Sequence, residues 1–555
     1  MRRKKISYFM AGAGLTVLIS LSLNFTTPNE RYFEITKNLD IFATLFKEVN
    51  AYYVDEVNPN QLIKTGIDAM LASLDPYTNY IPEDDIEDYR TMTTGQYGGI
   101  GALIGRMNGK NMILMPYEGF PANESGLKIG DEILEVDGVD VTDKNTSDIS
   151  QLLKGQAKTD LTITVKRFGV IEPIEITLKR EKITIDNVPY YGFVDDEVGY
   201  IKLSDFTTGA GKEVSNALNE LKKEGAKKII LDLRDNPGGL LMEAVNVSNV
   251  FIPKGKEVVS TKGKVTDWNK TYNTLNSSTD EEIPVAVLTS SRSASAAEIV
   301  SGVIQDYDRG VLVGEKTFGK GLVQATRPLT YNSQLKVTTA KYYIPSGRCI
   351  QAINYSDRNE DGSIGKVADS LKSEFETTNG RIVYDGGGID PDLEVKPQNL
   401  APITASLIAR GLIFDYATMY YYEHENIGDA ADFTITAEEY NEFVDWLSDK
   451  EYDYTTRVEK TIESLTEYAK KEKYYSDIQD EIEILKTQVF HNKEQDLKQF
   501  KAEIKEILES EIASRYYLRD GMVEASFDND PQLQAAIEVL RNNGEYKEIL
   551  AKATE

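Results

Sequence analysis

Ile283-Pro284-Val285-Ala286-Val287-Leu288-Thr289 runs directly into Ser290-Ser291-Arg292-Ser293-Ala294-Ser295-Ala296-Ala297-Glu298. The apolar stretch reads as a strand, the serine cluster as a turn, and the small residues that follow as the opening of a helix. The same rhythm recurs upstream: a strand at Val198 to Leu203, a helix near Lys212 to Lys223, a strand at Lys228 to Leu233, then Pro237-Gly238-Gly239 leading into another helix. Strands alternating with helices predict an α/β domain, placed at residues 187–398.

Outward from that core the chain changes character. Residues 95–186 carry short β-rich runs between glycine turns, such as Met112 to Met115 and Leu161 to Val165, and predict a compact β-domain. Residues 31–94 show Ile41, Leu45, Val49 and Tyr52, then Leu62, Ile67, Met70 and Leu71 after Asn58-Pro59, at helical spacing. Beyond Leu400 glycine is rare, and Ile478, Ile482, Leu485 and Val489 mark a helical domain at 399–555. Several domains are what 555 residues require, at about 150 residues per domain.

Residues 1–30 are expected to be a signal peptide or signal anchor. Arg2, Arg3, Lys4 and Lys5 precede an uncharged stretch, residues 6–25, long enough to cross a bilayer, which predicts export of the rest of the chain. With 62 Lys and Arg against 90 Asp and Glu, the net charge of −28 excludes nucleic acid as a natural partner. The single cysteine, Cys349, excludes an intramolecular disulfide and any multi-cysteine zinc site.

Three constellations bear on chemistry. Ser295 and Glu298 have the spacing of a capping box, so Ser295 reads as a plain helix cap. The same position suits a nucleophile, because the free amide of Ala296 at the helix start lies beside it to stabilise an oxyanion. A nucleophilic serine needs a base, and the only histidines are His424 and His491, both far downstream. Unless one of them folds back, a lysine made neutral by desolvation is the remaining route. The candidate is Lys320 in Gly319-Lys320-Gly321, with Phe318, Leu322 and Val323 to exclude water and Gln324 to orient the amine. Gly314 to Gly321 also matches a phosphate loop, except that Gly321 replaces the Ser or Thr that holds magnesium. In the β-domain, the backbone amides of Gly99, Ile100, Gly101 and Ala102 can hold a peptide carboxylate beside a strand edge. A dinucleotide fingerprint does not fit the spacing of Gly99, Gly101 and Gly105.

The β-domain, with Gly130-Asp131-Glu132-Ile133-Leu134, resembles a PDZ domain of the bacterial protease type. Together with Arg234-Asp235-Asn236-Pro237-Gly238-Gly239, Ser293-Ala294-Ser295 and Gly319-Lys320-Gly321-x-x-Gln324, the chain resembles a C-terminal processing peptidase of the tail-specific serine protease family. That resemblance implies a multidomain α/β and β fold with a ClpP/crotonase-like peptidase core, Ser295 as nucleophile, Lys320 as base and Gln324 positioning it. It implies oxyanion donors from Ala296 and from Gly238 or Gly239, and neither metal nor organic cofactor. It further implies substrates with accessible apolar C-termini, self-association into a homo-oligomer, and a place at the periplasmic or extracytoplasmic face of the inner membrane. The rival expectation is a PDZ-type scaffold or holdase that binds peptides without cutting them.

Overall fold

The computed structural model describes residues 28–358, 364–489 and 492–551. The expected membrane segment at residues 6–25 and His491 lie outside the described residues. The chain divides into two units, Met1–Tyr80 and Ile81–Glu555. In the first, α1 (Pro28–Tyr52) is followed by α2 (Pro59–Ala72). Asn58 caps α2 by accepting the N–H groups of Asn60 and Gln61, and Pro59 sits where its missing donor costs nothing. The apolar period of α1 is present, yet Ile41, Leu45 and Tyr52 are all exposed.

The second unit begins with α3 (Ile86–Thr94), β1 (Gln96–Gly99), β2 (Ala102–Met107), β3 (Lys110–Pro116), β4 (Glu132–Val136), α4 (Thr146–Leu153), β5 (Asp160–Lys166), β6 (Ile174–Lys179) and β7 (Glu181–Thr184). The sheet order β2-β3-β4-β5-β6 leaves β2 at an edge, with α4 alongside it, while β1 pairs with β7. Ile113, Ile133, Ile149, Leu161 and Ile163 fill this domain's own core.

The α/β core comprises β8 (Tyr190–Asp195), β9 (Val198–Lys202), α5 (Ala210–Glu224), β10 (Lys228–Asp232), α6 (Leu241–Phe251), β11 (Glu257–Gly263), β12 (Lys270–Asn273), β13 (Val285–Thr289), α7 (Ala296–Asp306), β14 (Val311–Gly314), β15 (Leu322–Pro328), β16 (Gln334–Tyr343) and β17 (Leu393–Glu394). Its main sheet runs β8-β9-β10-β13-β14-β17, parallel except for β8 against β9. Successive side chains of a strand point to opposite faces. Accordingly Ile229, Leu231, Val285 and Val287 meet α5, α6 and α7 on one face. Ile230, Ala286, Leu288 and Val313 form a second apolar face on the other side.

Helices from the C-terminal region cover that second face. The segment contains α8 (Leu412–Glu423), α9 (Arg457–Glu472), α10 (Tyr475–Val489), α11 (Lys501–Glu524), α12 (Pro531–Arg541) and α13 (Asn543–Leu550). Leu533, Ala536, Ile537 and Leu540 of α12 and Tyr546 of α13 pack on the strands, with Phe527 edge-on to Tyr190 and Tyr200. The last two helices are therefore a layer of the α/β core, whereas α8 and the first part of α11 share a separate core with Phe443, Ile504 and Leu508.

Candidate active site

Ser295 stands at the junction of β13 and α7 with φ 55° and ψ −111°, outside both the extended conformation of an ordinary helix cap and the left-handed helical well. A serine held there is strained, and something must hold it. Glu298, fully buried on the first turn of α7, does so. Its Oε2 accepts the N–H of Ser295 at 2.8 Å and that of Lys320 at 2.8 Å. Its Oε1 accepts the hydroxyl of Thr317 at 2.6 Å and the N–H of Gly319 at 2.7 Å. Burial pushes the Glu298 carboxyl above its usual range, and these donors oppose that rise.

A second cross-link comes from β16. The buried Tyr342 hydroxyl lies 2.7 Å from the carbonyl oxygen of Lys320 and 3.1 Å from that of Ser295. Burial drives its phenol far above the ordinary value, so it stays a neutral donor. One carboxylate on the amides and one phenol on the carbonyls thus tie the serine turn to the lysine loop. Neither role was legible from spacing: Glu298 signalled only a cap, and Tyr342 carried no signal.

The loop Arg234 to Gly239 is built onto the same turn. Asn236 donates to the Leu203 carbonyl oxygen at 2.7 Å, and its own side-chain oxygen accepts the Gly238 N–H at 2.8 Å. Gly238 has φ 94°, and a Cβ there would fall 2.8 Å from the Ala296 nitrogen and 2.8 Å from the Ser295 Cβ. Only glycine lets the two backbones approach so closely. The Gly238 amide is thus occupied, while the amides of Gly239 and Ala296 have no hydrogen-bond acceptor among the described residues.

Ser295, Ala296, Lys320, Gln324, Gly238 and Gly239 line one cleft of about 470 Å³, together with Tyr89 and Met92 of α3, Asp205, and Lys336 of β16. Gln324 donates to the Thr338 hydroxyl at 3.2 Å across the β15–β16 hairpin. Burial lowers the pKa of Lys336, a second cleft lysine that sequence reading passed over. Phe318 departs from expectation: it is 45% exposed and does not line the cleft, whereas Leu322 and Val323 do. Ser293, the other serine of the motif, is fully buried, with its hydroxyl donated to the Leu233 carbonyl oxygen at 2.7 Å.

The rival constellations do not assemble. The His424 ring stacks on Tyr420 at 3.8 Å and its Nδ1 lies 2.9 Å from that residue's carbonyl oxygen, within the C-terminal helices and outside the cleft lining. Lys320-Gly321 leads into a strand, β15, where a phosphate loop opens a helix. Burial pushes the Cys349 thiol up, away from a reactive thiolate. In the β-domain, the carbonyls of Ile100 and Gly101 accept the N–H groups of Ala122 and Tyr117, both at 2.8 Å. The amides of Ile100 and Gly101 have no acceptor among the described residues, and they lie at the start of the free edge of β2.

Residues 197–356 match the model of peptidase family S41, residues 113–167 that of a PDZ domain, and residues 403–540 that of the probable PDZ-protease C-terminal helical domain. The carboxy-terminal-processing protease of Bartonella bacilliformis is 36% identical over 356 residues, covering 63% of this chain and 81% of that protein. A probable CtpA-like serine protease of Staphylococcus aureus is 37% identical over 316 residues, 56% of this chain and 62% of that one. Among solved structures, the photosystem II D1 C-terminal processing protease aligns at 26% identity over 64% of this chain and 92% of its own, with a TM-score of 0.35. The PDZ domain of a carboxy-terminal protease from Vibrio cholerae, solved in complex with peptide, aligns at 29% identity over 16% of this chain and 99% of its own, with a TM-score of 0.16.

Proposed function

Because the chain belongs to the carboxy-terminal-processing serine proteases of peptidase family S41, we propose that it is an exported endopeptidase that engages protein C-termini through its PDZ domain and cuts with a Ser295–Lys320 dyad. The observation that supports this reading is the shared cleft: three separate segments bring Ser295, Lys320 and the Gly238-Gly239 turn to its lining. Neutral Lys320 takes the hydroxyl proton of Ser295, and the alkoxide attacks the substrate carbonyl. The tetrahedral oxyanion is received by the unengaged amides of Ala296 and Gly239, the Gly238 amide being held by Asn236. The lysine ammonium then protonates the leaving amine, and water repeats the sequence on the acyl-enzyme. Gln324, which lines the same cleft and is tied to Thr338, positions Lys320.

Substrate delivery follows from the β-domain. The Gly99 to Ala102 loop receives a terminal carboxylate on the amides of Ile100 and Gly101, and the substrate's last residues add to β2 as a strand. Apolar C-terminal residues added to β2 lie on the edge beside α4. Residues 95–186, 187–398 and 399–555 serve as the PDZ, catalytic and helical domains, residues 31–94 precede them, and export places the enzyme in the cell envelope. No helix among the described residues is long and apolar enough to cross a membrane.

The test uses the detergent-solubilised full chain on an unfolded protein ending in apolar residues, with products read by mass spectrometry. Ser295→Ala and Lys320→Ala are expected to abolish cutting while binding persists. The rate should rise with pH along a lysine-like limb, since the base must lose its proton, with no histidine-like limb near pH ~6.5. Binding without cutting by the unmodified chain would instead establish a peptide-binding scaffold.

A further inference from the structure

Next to the catalytic cleft, and sharing Leu240, Leu241, Val323 and Gln324 with it, lies a second pocket of about 480 Å³. Two of those shared residues follow the Gly238-Gly239 turn and two follow Lys320, so an extended chain lying across Ser295 runs onto this pocket. Its far wall comes from the β11–β12 hairpin and the outer half of β15, and carries Trp268, Lys270 and Arg327. The Arg327 guanidinium lies 4.3 Å from the Trp268 ring. Stacking of this kind holds the guanidinium plane and leaves its N–H edge available to a carboxylate.

The charge of the pocket is unlike that of the molecule. The chain carries −28 overall, yet the lining has two cations and no Asp or Glu. Among the described residues neither Lys270 nor Arg327 forms an ion pair with a carboxylate of the protein. Resting on the peptidase reading above, we propose that this pocket is a substrate subsite that receives an acidic side chain, Asp or Glu, flanking the scissile bond. The stacked Arg327 holds the carboxylate through its N–H edge, Lys270 adds a second positive charge, and Leu241 and Val323 receive the aliphatic stem.

The test is a peptide series on the detergent-solubilised full chain, each position flanking the scissile bond set in turn to Glu, Gln or Lys. At one position Glu should exceed Gln in kcat/KM by about three- to fivefold, the worth of a partly exposed charge pair, with Lys below Gln. The Arg327→Gln, Lys270→Gln double variant should bring the Glu-to-Gln ratio there to about one, and Arg327→Glu should reverse the order of Glu and Lys. Unmodified enzyme that cuts peptides with no acidic preference at any position overturns this proposal alone, whether or not the variants fold. So does a preference that survives in the double variant. If no peptide is cut, the peptidase reading fails and this inference fails with it.

Discussion

Glu298 sets how the serine and lysine segments sit together. Its two oxygens receive four donors, from Ser295, Thr317, Gly319 and Lys320, so an amide at this position must turn an NH2 toward backbone N–H groups. Each buried donor left without an acceptor costs about 1–3 kcal/mol. Glu298→Gln is therefore expected to lower kcat about ten- to hundredfold with a smaller change in KM, and to lower the melting temperature, read by steady-state kinetics and calorimetry. A loss confined to stability would assign Glu298 to the fold alone. The contrast with Ser295 and Lys320 shows what a sequence can reveal at this scale. Ser295 stood out as a candidate by its place between an apolar strand and a helix of small residues, and Lys320 by its flanking glycines; the structure brings the two into one cleft. Glu298 was visible only as a partner three residues from its serine, because its contacts with the lysine loop depend on how β13 and β15 are brought together. Phe318 misled for the converse reason: apolar character does not say which side of a loop is covered.

At the level of elements, α11 and the start of α12 hold a cluster of carboxylates. Glu506 is raised to about 7 by burial and by the charges of Asp530, Glu503 and Glu509. Around it, Glu503 accepts the Ala401 N–H at 2.9 Å, Glu509 accepts the Ile435 N–H at 2.7 Å, and Asp530 pairs with Arg234 at 2.6 Å. The other three carboxylates thus have donors already. An acid whose folded-state pKa lies above its unfolded value of about 4.3 contributes stability below that value and loses it as pH rises through about 7. Glu506→Gln should consequently melt higher than the unmodified protein at alkaline pH, with the difference closing toward pH ~4; thermal scans across that range decide it, and a pH-independent difference counts against the assignment. That the C-terminal region is helical was readable from sequence. The crowding of its acids against Asp530 was not, because periodicity fixes a face without naming what meets it.

For the whole molecule, the central fact is that one face of the catalytic sheet is covered by α12 and α13. Sequence reading placed these helices in a terminal domain with no stated task, since a 3.6-residue period is the same whether a helix packs on another helix or on a sheet. Ile537→Ala should destabilise the α/β core by about 2–4 kcal/mol, the usual result of emptying a buried aliphatic site. Urea unfolding followed by hydrogen exchange should show β10 and β13 losing protection together with α12; exchange of α12 alone would make it a detachable cover. Further along the same segment, Phe414, Leu518 and Met522 meet Met112, Met115 and Ile129 of the PDZ domain, and Lys128 donates to the Tyr421 hydroxyl at 3.0 Å. The helical segment therefore touches both the part proposed to receive a chain end and the part proposed to cut it. There is also a consequence in time. On the ribosome the serine turn and the lysine loop emerge before the helices that cover their sheet, so a nascent copy holds Ser295 and Lys320 while Ile230, Ala286 and Leu288 still lack the layer that buries them.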